Sequence, residues 1–373
     1  MKYYLIAGEA SGDLHGSNLM KALQKEDSST QFRIWGGDLM EATGGHLVKH
    51  YRDLAFMGFL EVAKNIRTIF RNIKFCKCDI LDYQPDVLIL IDYPGFNLRI
   101  AKWAKKQGIK VFYYISPQIW AWHTSRVHNI KTSVDRMFVI LPFEKAFYQQ
   151  YNYEVDFAGH PLLDVVAQHN PDPDFYDKNQ LPKEKPIIAL LPGSRKQEIN
   201  RMLEVMLQLV DRFPDYQFIV AGAPSQETAF YEQIIRQASG SHKVRLILNQ
   251  TYSLLHYAHA ALVTSGTATL ETALFDVPQV VCYKGNFISY HIARQLIDVP
   301  YISLVNLIVD QPLLTELIQN EMNPKRLTEE LNKILVPDQR KKIGHGYQEL
   351  KSILGESGAS EKTAKLMTSY LKS

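Results

Sequence analysis

Cysteine is nearly absent from this 373-residue chain, which carries only Cys76, Cys78 and Cys282. Cys76-Lys77-Cys78 lacks zinc-ligand spacing and has no second cysteine pair, which argues against a metal centre. So few thiols also exclude a disulfide scaffold and fit a reducing compartment. Long hydrophobic runs are missing too. None approaches the ~20 apolar residues that a membrane-spanning helix needs. An excess of one charge is lacking: 42 basic and 39 acidic residues leave +3, too mild for bulk nucleic-acid binding. There is no solenoid period and no low-complexity tract. A GxGxxG dinucleotide fingerprint is absent as well. Met1-Lys2 runs straight into a strand-like segment, leaving no room for a signal peptide and predicting a cytoplasmic protein.

What is present is an alternation of strand and helix patterns. With 46% hydrophobic and 22% charged residues, the chain has the composition of a globular protein and the length for about two domains of ~150 residues. In the first half, strand-like runs lie at 3–7, 32–36, 86–92, 110–116, 136–141 and 155–159. Helical patterns fall at 15–26, 59–83, 97–107 and 143–151. Residues 168–186 break the pattern with four prolines and little apolar content, as a linker does. Strands then resume at 187–191, 217–221, 245–248, 261–264 and 279–283, with helices at 197–212, 225–238, 251–258 and 267–275. From Pro324 the tail reads as charged helix, broken by Pro337 and by glycines at 344, 346, 355 and 358. Apolar strands alternating with helices predict parallel sheets covered on both faces. The expectation is α/β, two doubly wound Rossmann-like domains facing a central cleft.

Two glycine turns stand out because each follows an apolar strand and opens a helix. Such turns leave backbone N–H groups and a positive dipole end for a ligand. In AGEASGDLHG (7–16), Gly8, Gly12 and Gly16 relax the backbone, and Ser11 and Asp13 offer helix caps. Asp38 closes the second strand, but the glycine spacing does not suit a dinucleotide. In TSGTATLE (264–271), Ser265, Gly266, Thr267 and Ala268 offer N–H and hydroxyl donors to phosphate. Glu271, four residues after Thr267, shares a helix face with the turn. It can take ribose hydroxyls or simply complement the helix dipole.

Other strand ends carry chemistry as well. LLPGSR (190–195) makes a tight turn at Gly193 and Ser194, from which Arg195 projects. Its guanidinium can grip a diphosphate with paired hydrogen bonds, or it is a surface arginine on a turn. Asp92 ends the apolar strand of LIDYPGFN (90–97), at a sheet's ligand edge. Partly buried, it is a usable general base; otherwise it is a helix N-cap or turn carboxylate. Trp120 and Trp122 in SPQIWAW (116–122) either plug a core or line an apolar pocket. His15, His123, His160 and His291 are imaginable acid–base groups with no assigned role. In FLEVAKNIRTIFRNIKFCK (59–77), Phe59, Val62, Ile66, Ile69, Phe70 and Ile73 fall on one helical arc. Lys64, Arg67, Arg71, Lys74 and Lys77 fall on the adjoining arc, with no acidic residue between Val62 and Cys78. That pattern describes a membrane-surface helix facing lipid through Val62, Ile66, Ile69, Phe70 and Ile73, or a core helix with a solvated basic face.

Taken in order, AGEASGDLHG, IDYPGFN, SPQIWAW, ILPFEKAFYQQYN (140–152), GHPLLD (159–164), LLPGSR, TSGTATLE and ISLVNL (302–307) resemble the lipid-A-disaccharide synthases, a family of bacterial glycosyltransferases. The resemblance spans nearly the whole chain. It implies a GT-B fold with an acceptor- and membrane-facing domain at 1–168, rejoined by helices at 345–373. A linker at 169–186 and a UDP-sugar domain at 187–344 complete it. It implies an inverting transfer from UDP-2,3-diacylglucosamine to the 6-hydroxyl of 2,3-diacylglucosamine 1-phosphate (lipid X), forming a β-1,6 disaccharide and UDP without metal or cofactor. This is a step of lipid A synthesis in Gram-negative bacteria, at the cytoplasmic face of the inner membrane. By the same resemblance Asp92 is the base, Arg195 is needed for activity, Asn306 lies in the nucleotide pocket and Glu271 binds ribose. Ser11, Gly12, Asp13, Trp120 and Trp122 fall on the acceptor side. The C-terminal helices are also a candidate homodimer contact. His15, His123 and Gln118 depart from familiar members. Competing readings are a UDP-N-acetylglucosamine 2-epimerase or lipid II-type transferase of the same architecture, and a non-catalytic UDP-sugar-binding module.

Overall fold

A computed structural model describes residues 1–54, 66–121, 124–238, 240–285 and 299–372. The chain divides into two compact units, Met1–Asp164 with Glu356–Ser373, and Val165–Gly355. Each is built on one all-parallel sheet.

The first sheet comprises β1 (Lys2–Ala7), β2 (Gln31–Gly36), β3 (His46–His50), β4 (Val87–Ile91), β5 (Val111–Tyr114), β6 (Arg136–Val139) and β7 (Asp156–Phe157). Their spatial order is β3-β2-β1-β4-β5-β6-β7. Every residue of β4 is buried, because helices cover both faces of the sheet. One face holds Tyr4, Trp35, Leu88, Leu90 and Tyr113. The other holds Tyr3, Leu5, Ile89 and Phe112 with Ala364 and Met367 from the last helix, Ala359–Lys372. The Asp164 carboxylate accepts backbone N–H bonds from Gly358, Ala359 and Ser360 and so caps that helix.

The second sheet comprises β8 (Ile187–Leu191), β9 (Gln217–Gly222), β10 (Val244–Leu248), β11 (Ala258–Thr264), β12 (Gln279–Tyr283) and β13 (Glu316–Ile318), ordered β10-β9-β8-β11-β12-β13. The predicted linker is not bare coil. Helix Phe175–Lys178 lies within it, and Phe175 and Leu181 are buried against Ile187 and Leu255.

The tail departs from expectation at one place. Helix Pro337–Leu354 runs through Gly344 and Gly346. A Cβ on Gly346 would lie 2.3 Å from the Leu313 side chain, so glycine serves packing there and not a break. Tyr347 donates to the Val277 carbonyl at 3.0 Å, holding this helix in the second unit. The return to the first unit therefore begins after Gly355 (φ +84°) and not at 345.

Candidate active site

In each sheet the strand order reverses beside the first strand of the unit. β1 is flanked by β2 and β4, and β8 by β9 and β11. Ligands of open parallel sheets bind at the carboxyl ends of such switch-point strands. Both pairs of motifs singled out in the sequence lie there.

At the β1/β4 edge, the turn after Ala7 meets Asp92. A Cβ on Gly8 would lie 2.3 Å from the Tyr93 ring, so glycine is what lets that ring approach. Asp92 and Tyr93 both adopt left-handed backbone, φ +44° and +50°. Two consecutive non-glycine residues in that region are strained and need external support. The support is visible. Asn97, fully buried, donates through Nδ2 to the carbonyls of Asp92 (2.7 Å) and Ile91 (3.2 Å). Tyr113 donates its hydroxyl to the Asp92 carbonyl at 2.5 Å. The backbone is thus clamped, and the residue as a whole is half-buried. Burial pushes the Asp92 carboxyl up to about 7, and the nearby charge of Glu9 adds to the shift.

The rest of the acceptor-side set divides. Ser11 is exposed on the first turn of helix Ala10–Glu26. Gly12 is buried, and a Cβ there would lie 3.1 Å from the Ala7 Cβ, so it sets how closely the helix approaches β1. Asp13 is buried and spent. Its carboxylate accepts N–H bonds from Gly37 (2.7 Å), Leu39 (3.1 Å) and Met40 (3.1 Å). It anchors the β2 turn and is removed from the substrate-contacting set. Trp120 packs edge-on against Phe143 at 4.9 Å, on a helix whose buried Glu144 accepts from the Leu141 N–H at 2.9 Å. Trp122, His123 and His291 lie outside the described residues. His15 and His160 are both buried, and burial lowers them to about 4 and about 3. They stay neutral near pH 7 and are poor proton donors there.

At the β8/β11 edge two turns abut. A Cβ on Gly193 (φ +102°) would lie 3.5 Å from the Thr264 side chain. Arg195 is more than half exposed beyond this turn and reaches Glu198 Oε1 at 3.2 Å. Ser265 does not match its predicted part. Its N–H donates to the Cys282 carbonyl (2.9 Å) and its hydroxyl to the Ile302 carbonyl (2.8 Å). Both donors are used inside the protein, so Ser265 anchors the turn. The donor edge starts one residue later. Gly266 and Thr267 are exposed, and helix Thr267–Leu274 begins without a side-chain cap. A Cβ on Gly266 would meet nothing within 4 Å. Such an uncapped, open helix start suits an anion.

Glu271 is half-buried on that helix, and burial raises its carboxyl. Tyr252 donates to its Oε1 at 3.0 Å and opposes the shift. Asn306 is buried, and its amide is committed. Nδ2 donates to the Leu314 carbonyl (2.9 Å) and Glu316 Oε1 (3.0 Å), and Oδ1 accepts from the Leu314 N–H (2.8 Å). Its place is in the loop's scaffold. Asn97, Tyr113, Tyr252 and Glu316 were not singled out by sequence. Only Asn97 lay within a quoted motif.

The basic helix is described from Ile66 to Tyr83; Val62 lies outside, as does the side chain of Ile66. Ile73, Cys76 and Ile80 are buried in the core, and Ile69 packs against it. Asp79 ties the helix to the sheet through Arg33 (2.8 Å) and Tyr4 (2.6 Å). Ile73 and Ile69 thus face protein, which corrects their reading as membrane-facing. Phe70 and Phe75 remain 58% and 47% exposed, beside exposed Arg67, Arg71 and Lys74.

The comparisons agree with one another. A family model described as lipid-A-disaccharide synthetase matches residues 3–369. The lipid-A-disaccharide synthase of Syntrophus aciditrophicus (strain SB) is 42% identical over 373 residues, covering 99% of this chain and 97% of its own length. That of Geobacter metallireducens is 37% identical, with 98% and 96% covered. Among solved structures, the UDP-GlcNAc 2-epimerase from Neisseria meningitidis bound to UDP-GlcNAc superposes with a TM-score of 0.71 at 14% identity, covering 100% of both chains. That likeness concerns the fold alone.

Proposed function

The chain belongs to the lipid-A-disaccharide synthetase family, and from that premise we propose that its two strand-end sites divide the reaction between them. The enzyme is a glycosyltransferase that joins 2,3-diacylglucosamine from its UDP derivative to lipid X and releases UDP. The β1/β4 edge is the acceptor site, and the β8/β11 edge holds the UDP.

Asp92 is the base. It takes the proton of the acceptor 6-hydroxyl as that oxygen attacks the anomeric carbon. The bond from the anomeric carbon to the UDP oxygen breaks, and the electron pair leaves with UDP. The N–H groups at Gly266–Ala268 and the Arg195 guanidinium stabilise the charge that grows there. Glu271 takes the ribose hydroxyls while Tyr252 holds its other oxygen. The observation that carries this reading is the buried Asp92 carboxyl, on a backbone held by Asn97 and Tyr113 and raised to about 7, where a general base works best. Incubation with UDP-2,3-diacylglucosamine and lipid X, following UDP and disaccharide, tests it. Equal turnover by Asp92→Asn would remove Asp92 from the role.

Both substrates are acylated, so we also propose contact with an anionic lipid surface through Phe70, Phe75, Arg67, Arg71 and Lys74. Among the described residues no helix is long and apolar enough to cross a membrane. Each cation near such a surface contributes about 1 kcal/mol. Asp in place of Phe70, the more exposed of the two rings, should weaken binding to phosphatidylglycerol vesicles with the melting temperature unchanged. Undiminished retention on the vesicles would refute this face.

A further inference from the structure

Glu316 has no assigned role, yet the UDP edge converges on it. Its Oε2 accepts the Ile302 N–H and its Oε1 accepts the Ser303 N–H, both at 2.9 Å. Oε1 also takes Asn306 Nδ2 at 3.0 Å. Ser303 in turn caps helix Leu304–Val309 through Oγ and the Asn306 N–H. On the far side, the Ile302 carbonyl receives the Ser265 hydroxyl. Glu316 opens β13, in register with Val281 of β12, and the next residue of β12, Cys282, holds the Ser265 N–H. Ser265 is therefore gripped from two directions, and one of the two grips depends on Glu316.

We propose that Glu316 is a positioning residue for the UDP diphosphate, acting through Ile302 and Ser265 on the donor edge at Gly266–Ala268. The proposal rests on the reading of that edge as the phosphate site. The helix start carries no side-chain cap, so its N–H groups owe their direction to the residue that precedes them. Only a carboxylate fits the position. Both Glu316 oxygens face N–H donors, and an amide would turn an N–H₂ toward one of them. Asn306 completes the brace, its amide bonded to both Leu314 and Glu316.

The test measures UDP affinity by calorimetry and KM for each substrate on the full chain. Glu316→Gln should weaken UDP about tenfold and raise KM for the UDP-sugar by a similar factor. KM for lipid X should stay unchanged. A merely structural loss moves both KM values together. Ser265→Ala should weaken UDP likewise, and the double variant should bind no more weakly than the weaker single one, because both cut one chain of contacts. Additive effects, or wild-type affinity in Glu316→Gln, overturn the proposal. Should Glu316→Gln not fold, Glu316→Asp keeps the charge and withdraws it by one methylene, with the same expectations. Arg195→Ala reports separately on the phosphate reading. If it binds UDP normally, that reading fails; if it binds weakly while Glu316→Gln does not, only the present proposal fails.

Discussion

The two strand-end sites use opposite means. At β1/β4 the protein encloses a carboxylate, strains its backbone and spends neighbouring polar groups on holding it. At β8/β11 it leaves a helix start uncapped and an arginine mostly exposed. On the proposed division of roles, the contrast follows from what each ligand demands. A base must be poorly solvated and fixed to accept a proton near neutral pH. An anion site must keep the N–H groups of its helix start open until the anion arrives.

Four measurements can break or sharpen that contrast. Asp92→Asn should lower kcat by about 10³-fold and leave UDP affinity within twofold; a parallel loss of UDP binding would merge the two sites. Arg195→Ala should lower kcat/KM for the UDP-sugar by about 10²-fold. Arg195→Lys should recover only part of this, since an ammonium lacks the planar fork; full recovery would mean that charge alone matters. Third, the rate should rise with pH through about 7, the value to which burial pushes Asp92. At pH 5 it should lie about a hundredfold below the plateau, and a flat profile would deny the raised carboxyl. The smallest effect concerns stability. Asp92 has its folded value raised from an ordinary 3.8, so its contribution is complete below about pH 4 and lost as pH rises through about 7. Asp92→Asn should therefore be more stable than wild type by about 2–4 kcal/mol above pH 7, the gain vanishing at low pH. Urea titrations at pH 4 and 8 decide this. No comparable gain is expected of Arg195→Ala.

What the sequence made legible follows from burial. β4 and β8 read clearly because continuous apolar runs mark strands covered on both faces. β3, half-exposed and written HLVKH, and the three-residue β13 carried no such signal. The strand-end positions of Asp92 and Arg195 were legible from the apolar runs before them, and the roles given to them are proposals. Asn97, Tyr113 and Glu316 were not, because they act on backbone groups that no residue spacing reveals. Ser265 was misread for the same reason: nothing in TSGTATLE shows that Cys282 and Ile302 claim its donors. On helix Ile66–Tyr83 the apolar stripe was real, but periodicity cannot say whether protein or lipid covers it. Burial of Ile73 and exposure of Phe70 separate the two.

Helix Ala359–Lys372 completes, with helix Ala10–Glu26, one face of the first sheet. Synthesis runs from the N-terminus, so the unit made first is the last that can be completed. Val165–Gly355 has all its strands before that helix leaves the ribosome, whereas the first unit's face around Phe112 and Phe138 still lacks Ala364, Met367 and Tyr370. Until then the first unit leaves part of that apolar face open, and in that interval it is exposed to aggregation and to proteases.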